Sequence, residues 1–363
     1  VPVGVFLSGG VDSPLVASAM VTASSHRVPA FSIGTDDVAM DESAAARAYA
    51  EVLDVDHHLR TIRGEDALAL LDDVAAAYAE PFGDYSSFPT LLVSALAAEQ
   101  VKVVLSGDGG DELFWGSPRF AKVRRARRWF HLPRAGRVAA YGASKPLPTR
   151  RRPARGILFP TLGDWYLDAH SGLRREDLDR FAPQLGDLPA GFDHFELTGV
   201  PTDDELLQWL RRNELGCHLP MILQKVDRAS MFHGLEVRVP LLDLELIDLA
   251  ARVDPSAALD GSRGKVVLRS ALARSVPAEK IPVPKKGFTV PLAAWLRDDL
   301  RPVVEELLLG PEAFPVGAFD PVALRTWYGQ HLSGERNHTK GLWNLLALQM
   351  WARTHLRPLE VRT

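Results

Sequence analysis

Two glycine-rich stretches set acids and hydroxyls beside backbone that a phosphate could approach. The first, Ser8-Gly9-Gly10-Val11-Asp12-Ser13, follows the apolar run Val3 to Leu7 and leads into Pro14 and an apolar helical pattern. Such a turn between strand and helix aims backbone N–H groups at one point, which suits a bound anion. Gly9 and Gly10 permit close approach, Ser8 and Ser13 add hydroxyl donors, and Pro14 fits the first helical position. No lysine follows, so this is not a P-loop, and the G-x-G-x-x-G spacing is missing as well. Asp12 would repel a phosphate unless a divalent cation lay between them, so it points to Mg²⁺.

The second stretch, LSGDGGDELF, brings Asp108, Asp111 and Glu112 among Gly107, Gly109 and Gly110. A structural turn needs glycines and one acid; three acids suggest chemistry. Asp111 could share the cation with Asp12.

Both loops must then open at one edge of a sheet. Val3 to Leu7, Val28 to Ile33, His57 to Ile62 and Val101 to Leu105 read as buried strands. Pro14 to Ala23, Asp41 to Leu53, Glu65 to Tyr78 and Thr90 to Glu99 read as helices. Repeated βα units of this kind predict an α/β fold with a parallel, doubly wound, Rossmann-like sheet, whose ligands sit beyond the strands' C-terminal ends. Residues 117–199 read as a basic insertion, irregular in part, and residues 200–363 as a helical half that completes the site. The nucleotide-type core is residues 1–116.

The chain has 363 residues, 46% apolar and 24% charged, with a net charge of −4. That is a globular composition, without an apolar run near the roughly 20 residues of a bilayer span, and it implies a soluble, cytoplasmic protein. The charge gives no reason to expect a nucleic-acid partner. The single cysteine, Cys217, excludes an internal disulfide framework and reads as a buried small residue. The segment Leu113 to Gly163 holds 13 basic residues and no acid. It reads either as a solvated helix face with a Pro/Arg-rich loop or as a docking surface. A start on a core strand, without methionine, suggests part of a longer protein.

The pair of loops resembles the ATP pyrophosphatase enzymes, and SGGVDS combined with SGDGGDE resembles the synthetase domain of the glutamine-dependent asparagine synthetases. The resemblance extends through FSIG at 31–34, EPFGDYSSFPT at 80–90, KVDRASMFHGLEVRVPLLD at 225–243 and KKGFTVPLAAWL at 285–296. It implies a two-step reaction. A carboxylate attacks the α-phosphate of ATP to give an acyl-adenylate and pyrophosphate, and ammonia then displaces AMP.

By that resemblance Ser8, Gly9, Gly10, Asp12 and Ser13 hold the pyrophosphate, joined by Ser106 and Gly107. Ser32, Ile33 and Gly34 meet adenine, with Leu7 nearby. Asp12 and Asp111 bind Mg²⁺, Lys285 faces the adenylation charge, Lys225 contacts phosphate, and Asp108 belongs to the acyl side. Lys225 could instead pair with Asp227, and Lys285 with Lys286 could be a solvated pair. Glu112, Asp227, Arg228, Glu236 and Arg238 are expected to support the site, Glu236 and Arg238 together with Asp243 in a buried hydrogen-bond network. The substrates implied are aspartate and ammonia, the latter from an N-terminal glutaminase domain absent from this chain; a homodimer is left open.

The asparagine synthetases usually carry glutamate where this sequence has Asp108, and WGSPRF at 115–120 departs from their Gly-Tyr-x-Arg-Tyr pattern. A related ligase acting on another acid or a peptide, of the β-lactam synthetase or lasso-peptide cyclase type, is the alternative. Sulfur-transferring and tRNA-modifying relatives are disfavoured by the single cysteine and the mild charge, and a degenerate binding module by the surviving acids and lysines. Three features are discounted. His57 and His58 point to opposite faces of a strand, Trp343 and Trp351 read as core packing, and His218 lacks visible partners for a zinc site.

Overall fold

The computed structural model describes residues 2–146, 153, 155–170, 172–185, 197, 199–259, 264–280, 290–311, 313–315 and 317–356. Its first half runs β1 (Val3–Phe6), α1 (Asp12–Ala23), β2 (Pro29–Thr35), α2 (Ser43–Leu53), β3 (Asp56–Ile62), α3 (Gly64–Ala69), α4 (Leu71–Ala77), α5 (Ser87–Ala98), β4 (Val103–Leu105) and α6 (Gly110–Leu113). The helix expected from Glu65 to Tyr78 is two, divided at Leu70. Helix α1 starts at Asp12, which makes Pro14 its third residue rather than its first. The first four N–H groups of a helix have no intrahelical partner, so proline costs nothing there either.

A fifth strand, β5 (Glu236–Arg238), was not anticipated. The sheet is parallel throughout with order β3-β2-β1-β4-β5. From β1 the chain builds outward through β2 and β3, then crosses to β4 on the other side of β1. The crevice at that reversal, beyond the carboxyl ends of β1 and β4, is where open α/β sheets bind ligands. Both glycine-rich loops leave the sheet there.

Side chains alternate across the sheet and both faces are covered. Val5 and Ala30 pack with Val16 and Ala17 of α1, Tyr49 and Ala50 of α2, and Leu268 and Leu272 of the helix Val266–Leu272. Phe31 and Val104 pack on the other face against Val93, Leu96 and Ala97 of α5. Two-sided burial is what makes these strands read as near-continuous apolar runs.

The helical half is built onto this frame. Helix Asp203–Asn213 runs through a π-helical turn at Glu214–His218 into Leu219–Phe232, which packs on α5. Trp295, Leu296, Leu342 and Trp343 share one core with Tyr78, Phe88 and Leu91. Trp343 is fully buried, whereas Trp351 is half-buried and its indole N–H donates to the Ala79 carbonyl.

The basic segment is mainly helical, with Pro118–Arg127 and Arg134–Ala143. Its arginines are in good part internal ties. Arg124 and Arg127 reach Asp203, and buried Arg137 donates to the Ile157, Phe159 and Pro160 carbonyls while lying over the Phe130 ring. Among the described residues, no helix is long and apolar enough to cross a membrane.

Candidate active site

The loop after β1 is closed by its own hydroxyls. Ser8 N–H donates to Ser13 Oγ at 2.9 Å, the two hydroxyls lie 2.9 Å apart, and Gly10 N–H donates to Ser8 Oγ at 3.2 Å. Val11 precedes α1 and supplies no side-chain cap. The helix therefore begins with its dipole's positive end at this loop.

The loop after β4 fits against the first one. A Cβ on Gly107 would lie 2.5 Å from the Ser13 nitrogen, so no other residue fits where the two loops meet. Ser106 Oγ donates to Asp108 Oδ2 at 2.8 Å and fixes that carboxylate beside its own strand end. Glu112 is buried within α6.

Asp12 and Asp111 converge. Both carboxylates reach the ammonium of Lys265, with Asp111 Oδ1 at 2.9 Å from Nζ and Asp12 Oδ2 closer still. Two carboxylates from neighbouring loops that meet at one cation form a hard-oxygen donor set, which fits Mg²⁺. Lys265 was not anticipated, since it stands 253 positions from Asp12 in a charged GSRGK stretch without a motif.

Beside the loops lies a cleft of about 410 Å³, lined by Leu7, Ser8, Gly9, Ser32, Ile33 and Gly34 together with Thr35, Met40 and Asp41. The three β2 residues expected to meet adenine thus share one wall with the first loop. Ser32 Oγ donates to the Leu7 carbonyl at 2.6 Å and lies 2.8 Å from His57 Nε2. With its proton on the carbonyl, the serine accepts from Nε2–H, so His57 ties β1, β2 and β3 together. Burial first, then Arg47 and His58, hold His57 below its ordinary pKa and keep it neutral. His58 points away and pairs with Asp56. Asp41, also unanticipated, accepts from the Thr35 and Ser43 N–H groups and from the Ser43 hydroxyl. Burial would raise its pKa, but these bonds and Arg47 outweigh it and keep the carboxylate ionised.

Lys225 does not pair with Asp227. Its Nζ lies 3.4 Å from Asp84 Oδ2 and 2.8 Å from Ser86 Oγ, both in the EPFGDYSS stretch. Asp227 and Arg228 are exposed. Glu236, Arg238 and Asp243 are also corrected: all three are exposed and form no buried network, Glu236 pairing with Arg238 on β5 at 3.5 Å and Asp243 accepting from the Glu245 N–H. What β5 contributes is backbone, since the Ser106 N–H donates to the Arg238 carbonyl and anchors the start of the second loop. Lys285 and Lys286 lie outside the described residues.

His218, discounted for want of partners, has them in the fold. The side chains of His170, Glu214 and His218 lie within 4.8 Å of one another. Glu214 is fully buried and accepts from both Tyr166 and Arg119, the guanidinium lying 3.1 Å from Oε2. A guanidinium already on the carboxylate opposes a metal cation there, so the cluster reads as a buried polar knot. It joins the basic segment to the π-helical turn. Cys217, in that turn, is half-buried.

A parallel sheet with two acid-bearing glycine loops at its switch point is an α/β architecture of the Rossmann-like class. The family model described as asparagine synthase matches residues 1–353, and the chain belongs to that family. A Mycobacterium tuberculosis protein named "Putative asparagine synthetase (glutamine-hydrolyzing)" is 32% identical over 97% of this chain and 54% of its own length. Asparagine synthetase (glutamine-hydrolyzing) 1 of Bacillus subtilis is 24% identical over 97% of this chain and 56% of its own. A Penicillium rubens protein named Amidase chyE is 26% identical over 88% of this chain and 54% of its own. The chain spans about half the length of these relatives.

Proposed function

We propose that this chain carries out ATP-dependent amide formation through an acyl-adenylate, with aspartate as the acid and ammonia as the nucleophile. An aspartate carboxylate oxygen attacks the α-phosphorus, pyrophosphate leaves, ammonia adds to the acyl carbon, and AMP departs with the carboxylate oxygen. The products are asparagine, AMP and diphosphate. The observation that carries this reading is the convergence of Asp12 and Asp111 on one cation position, beside a glycine loop closed by its own hydroxyls at the sheet's switch point.

Ser8, Gly9, Gly10, Ser13, Ser106 and Gly107 would hold the phosphates, and Leu7, Ser32, Ile33 and Gly34 the adenosine. Asp12 and Asp111 would hold Mg²⁺, which supplies positive charge to the phosphates. Lys285 would face the charge that develops on the leaving group, where a donor acts mainly in the transition state. Asp108 would serve the acyl side, and Lys225 would be a second phosphate contact. Residues 1–116 then form the nucleotide part, 117–199 a basic insertion and 200–363 the half that completes the site.

In the full protein a glutaminase domain upstream would supply ammonia. Support for it comes from relatives named glutamine-hydrolyzing and from their greater length. A cytoplasmic location fits this chemistry.

The test is release of AMP and pyrophosphate from Mg·ATP with ammonium, with and without aspartate. Aspartate-dependent release with asparagine formed is expected. Release that ignores aspartate would remove the acid from the proposal, and ADP as product would remove the adenylate.

A further inference from the structure

Lys265 is 2% exposed, and its ammonium stands between the two carboxylates that would ligate the metal. Three local features hold it there. Its own backbone is left-handed, φ 61°, a conformation that non-glycine residues keep only where the surroundings enforce it. Its N–H donates to the Phe114 carbonyl at 3.0 Å, next to Trp115, which is left-handed as well with φ 51°. A Cβ on Gly116 would lie 2.0 Å from Lys265 Cε and 2.1 Å from Asp111 Oδ1, so glycine leaves the channel through which the lysine reaches in. Gly116 and the Phe114 carbonyl, at the end of the second loop, thus make the berth of this side chain.

We propose that Lys265 is the resident cation of this site: it neutralises Asp12 and Asp111 while nucleotide is absent, and a divalent ion must displace it to bind. The inference rests on the Mg·ATP reading above. Two facing carboxylates in a half-buried site repel each other unless a cation lies between them, and two cations cannot share one position a few ångströms wide. Metal alone therefore gains little by entering. Metal arriving with ATP brings phosphate oxygens that give the displaced ammonium a new partner, so the site fills only when metal and nucleotide come together.

The experiment measures Mn²⁺ binding to nucleotide-free protein from the loss of the free-ion paramagnetic signal. Wild type is compared with Lys265→Met and Lys265→Gln, each verified as folded by circular dichroism. At least tenfold tighter Mn²⁺ binding is expected in both variants, and adding Asp12→Asn to Lys265→Met should abolish the gain. Equal Mn²⁺ affinity in wild type and folded variants would overturn the proposal. A second measurement needs no variant: millimolar Mn²⁺ without nucleotide should leave the wild-type melting temperature unchanged, and a clear rise would overturn the proposal too. Mn·ATP binding to wild type separates this from the parent reading. If Mn·ATP binds and the variants show no gain, the lysine proposal alone fails; if Mn·ATP does not bind while the variants do gain Mn²⁺, the nucleotide reading alone fails.

Discussion

Lys225 and Asp84, 141 positions apart, form a buried ion pair of 3.4 Å that joins the helix Leu219–Phe232 to the segment before α5. Burial alone would raise the Asp84 pKa. The Lys225 ammonium and the Ser86 hydrogen bonds outweigh it and hold the carboxyl below its usual range. Removing one partner leaves a charge without compensation, so Lys225→Met should cost about 3–5 kcal/mol in urea unfolding. Asp227→Asn, at an exposed position, should stay within about 0.5 kcal/mol. Equal costs would mean that Asp84 is not the partner that matters.

The polar knot around Glu214 predicts a pH dependence of stability. Burial pushes the Glu214 carboxyl up, but His170, Arg119, His218 and Tyr166 together bring it from 4.5 down to about 2. Its contribution is therefore complete above pH 4.5 and is lost as pH falls toward 2. His218 is pushed from 6.5 down to about 4, by burial first, with Arg119 and His170 adding to it against the pull of Glu214. The unfolded chain takes up that proton first, so stability also falls between pH 6.5 and 4. In urea midpoints measured across pH, the gap between wild type and Glu214→Gln should narrow below pH 4.5. A constant gap down to pH 2 would contradict the assignment.

Gly107→Ala tests how closely the two loops fit. The added methyl would stand 2.5 Å from the Ser13 nitrogen, against backbone that cannot rotate away. We expect about 1–3 kcal/mol of destabilisation from overpacking, together with at least a tenfold loss of affinity for a fluorescent ATP analogue. In Gly10→Ala the nearest atom to the new methyl is Ser8 Oγ at 3.3 Å, and the stability cost should be smaller. A wild-type melting temperature in Gly107→Ala would show that the loops have slack.

Asp12→Asn and Asp111→Asn should each lower Mg²⁺-dependent ATP turnover by about 100-fold or more, the scale on which a single transition-state electrostatic contact is felt. Circular dichroism should be unchanged. Turnover that survives either substitution would remove the shared-metal account.

Lys285→Ala should lower kcat and kcat/KM for pyrophosphate release together, with little change in ATP affinity. A loss confined to ATP binding would assign this lysine to ground-state contacts.

What was legible in the sequence follows from how local the signal is. The strands β1, β2 and β4 are apolar runs followed by helical periodicity, and the two glycine loops are contiguous motifs at strand ends; β3 is a strand as expected but not a buried one, since it lies at the sheet edge with only Ile62 of DHHLRTI buried. β5 escaped notice because it is three residues long with an exposed, half-buried, exposed pattern, and its role is carried by the backbone of Arg238. Reading Glu236 and Arg238 as buried mistook charged residues inside an apolar stretch for interior ones, when an edge strand turns them to solvent. Partners such as Asp84 for Lys225, Arg119 for Glu214 and Lys265 for Asp12 lie 95 to 253 positions away, and no spacing rule reaches that far. Three-dimensional proximity was needed to find them.

The most direct test of the central claim uses aspartate carrying ¹⁸O in its side-chain carboxylate, with Mg·ATP and ammonium. Attack of that carboxylate on the α-phosphorus predicts one ¹⁸O atom in each AMP formed, detected by mass spectrometry alongside labelled asparagine. AMP free of label, or ADP in its place, would contradict an acyl-adenylate.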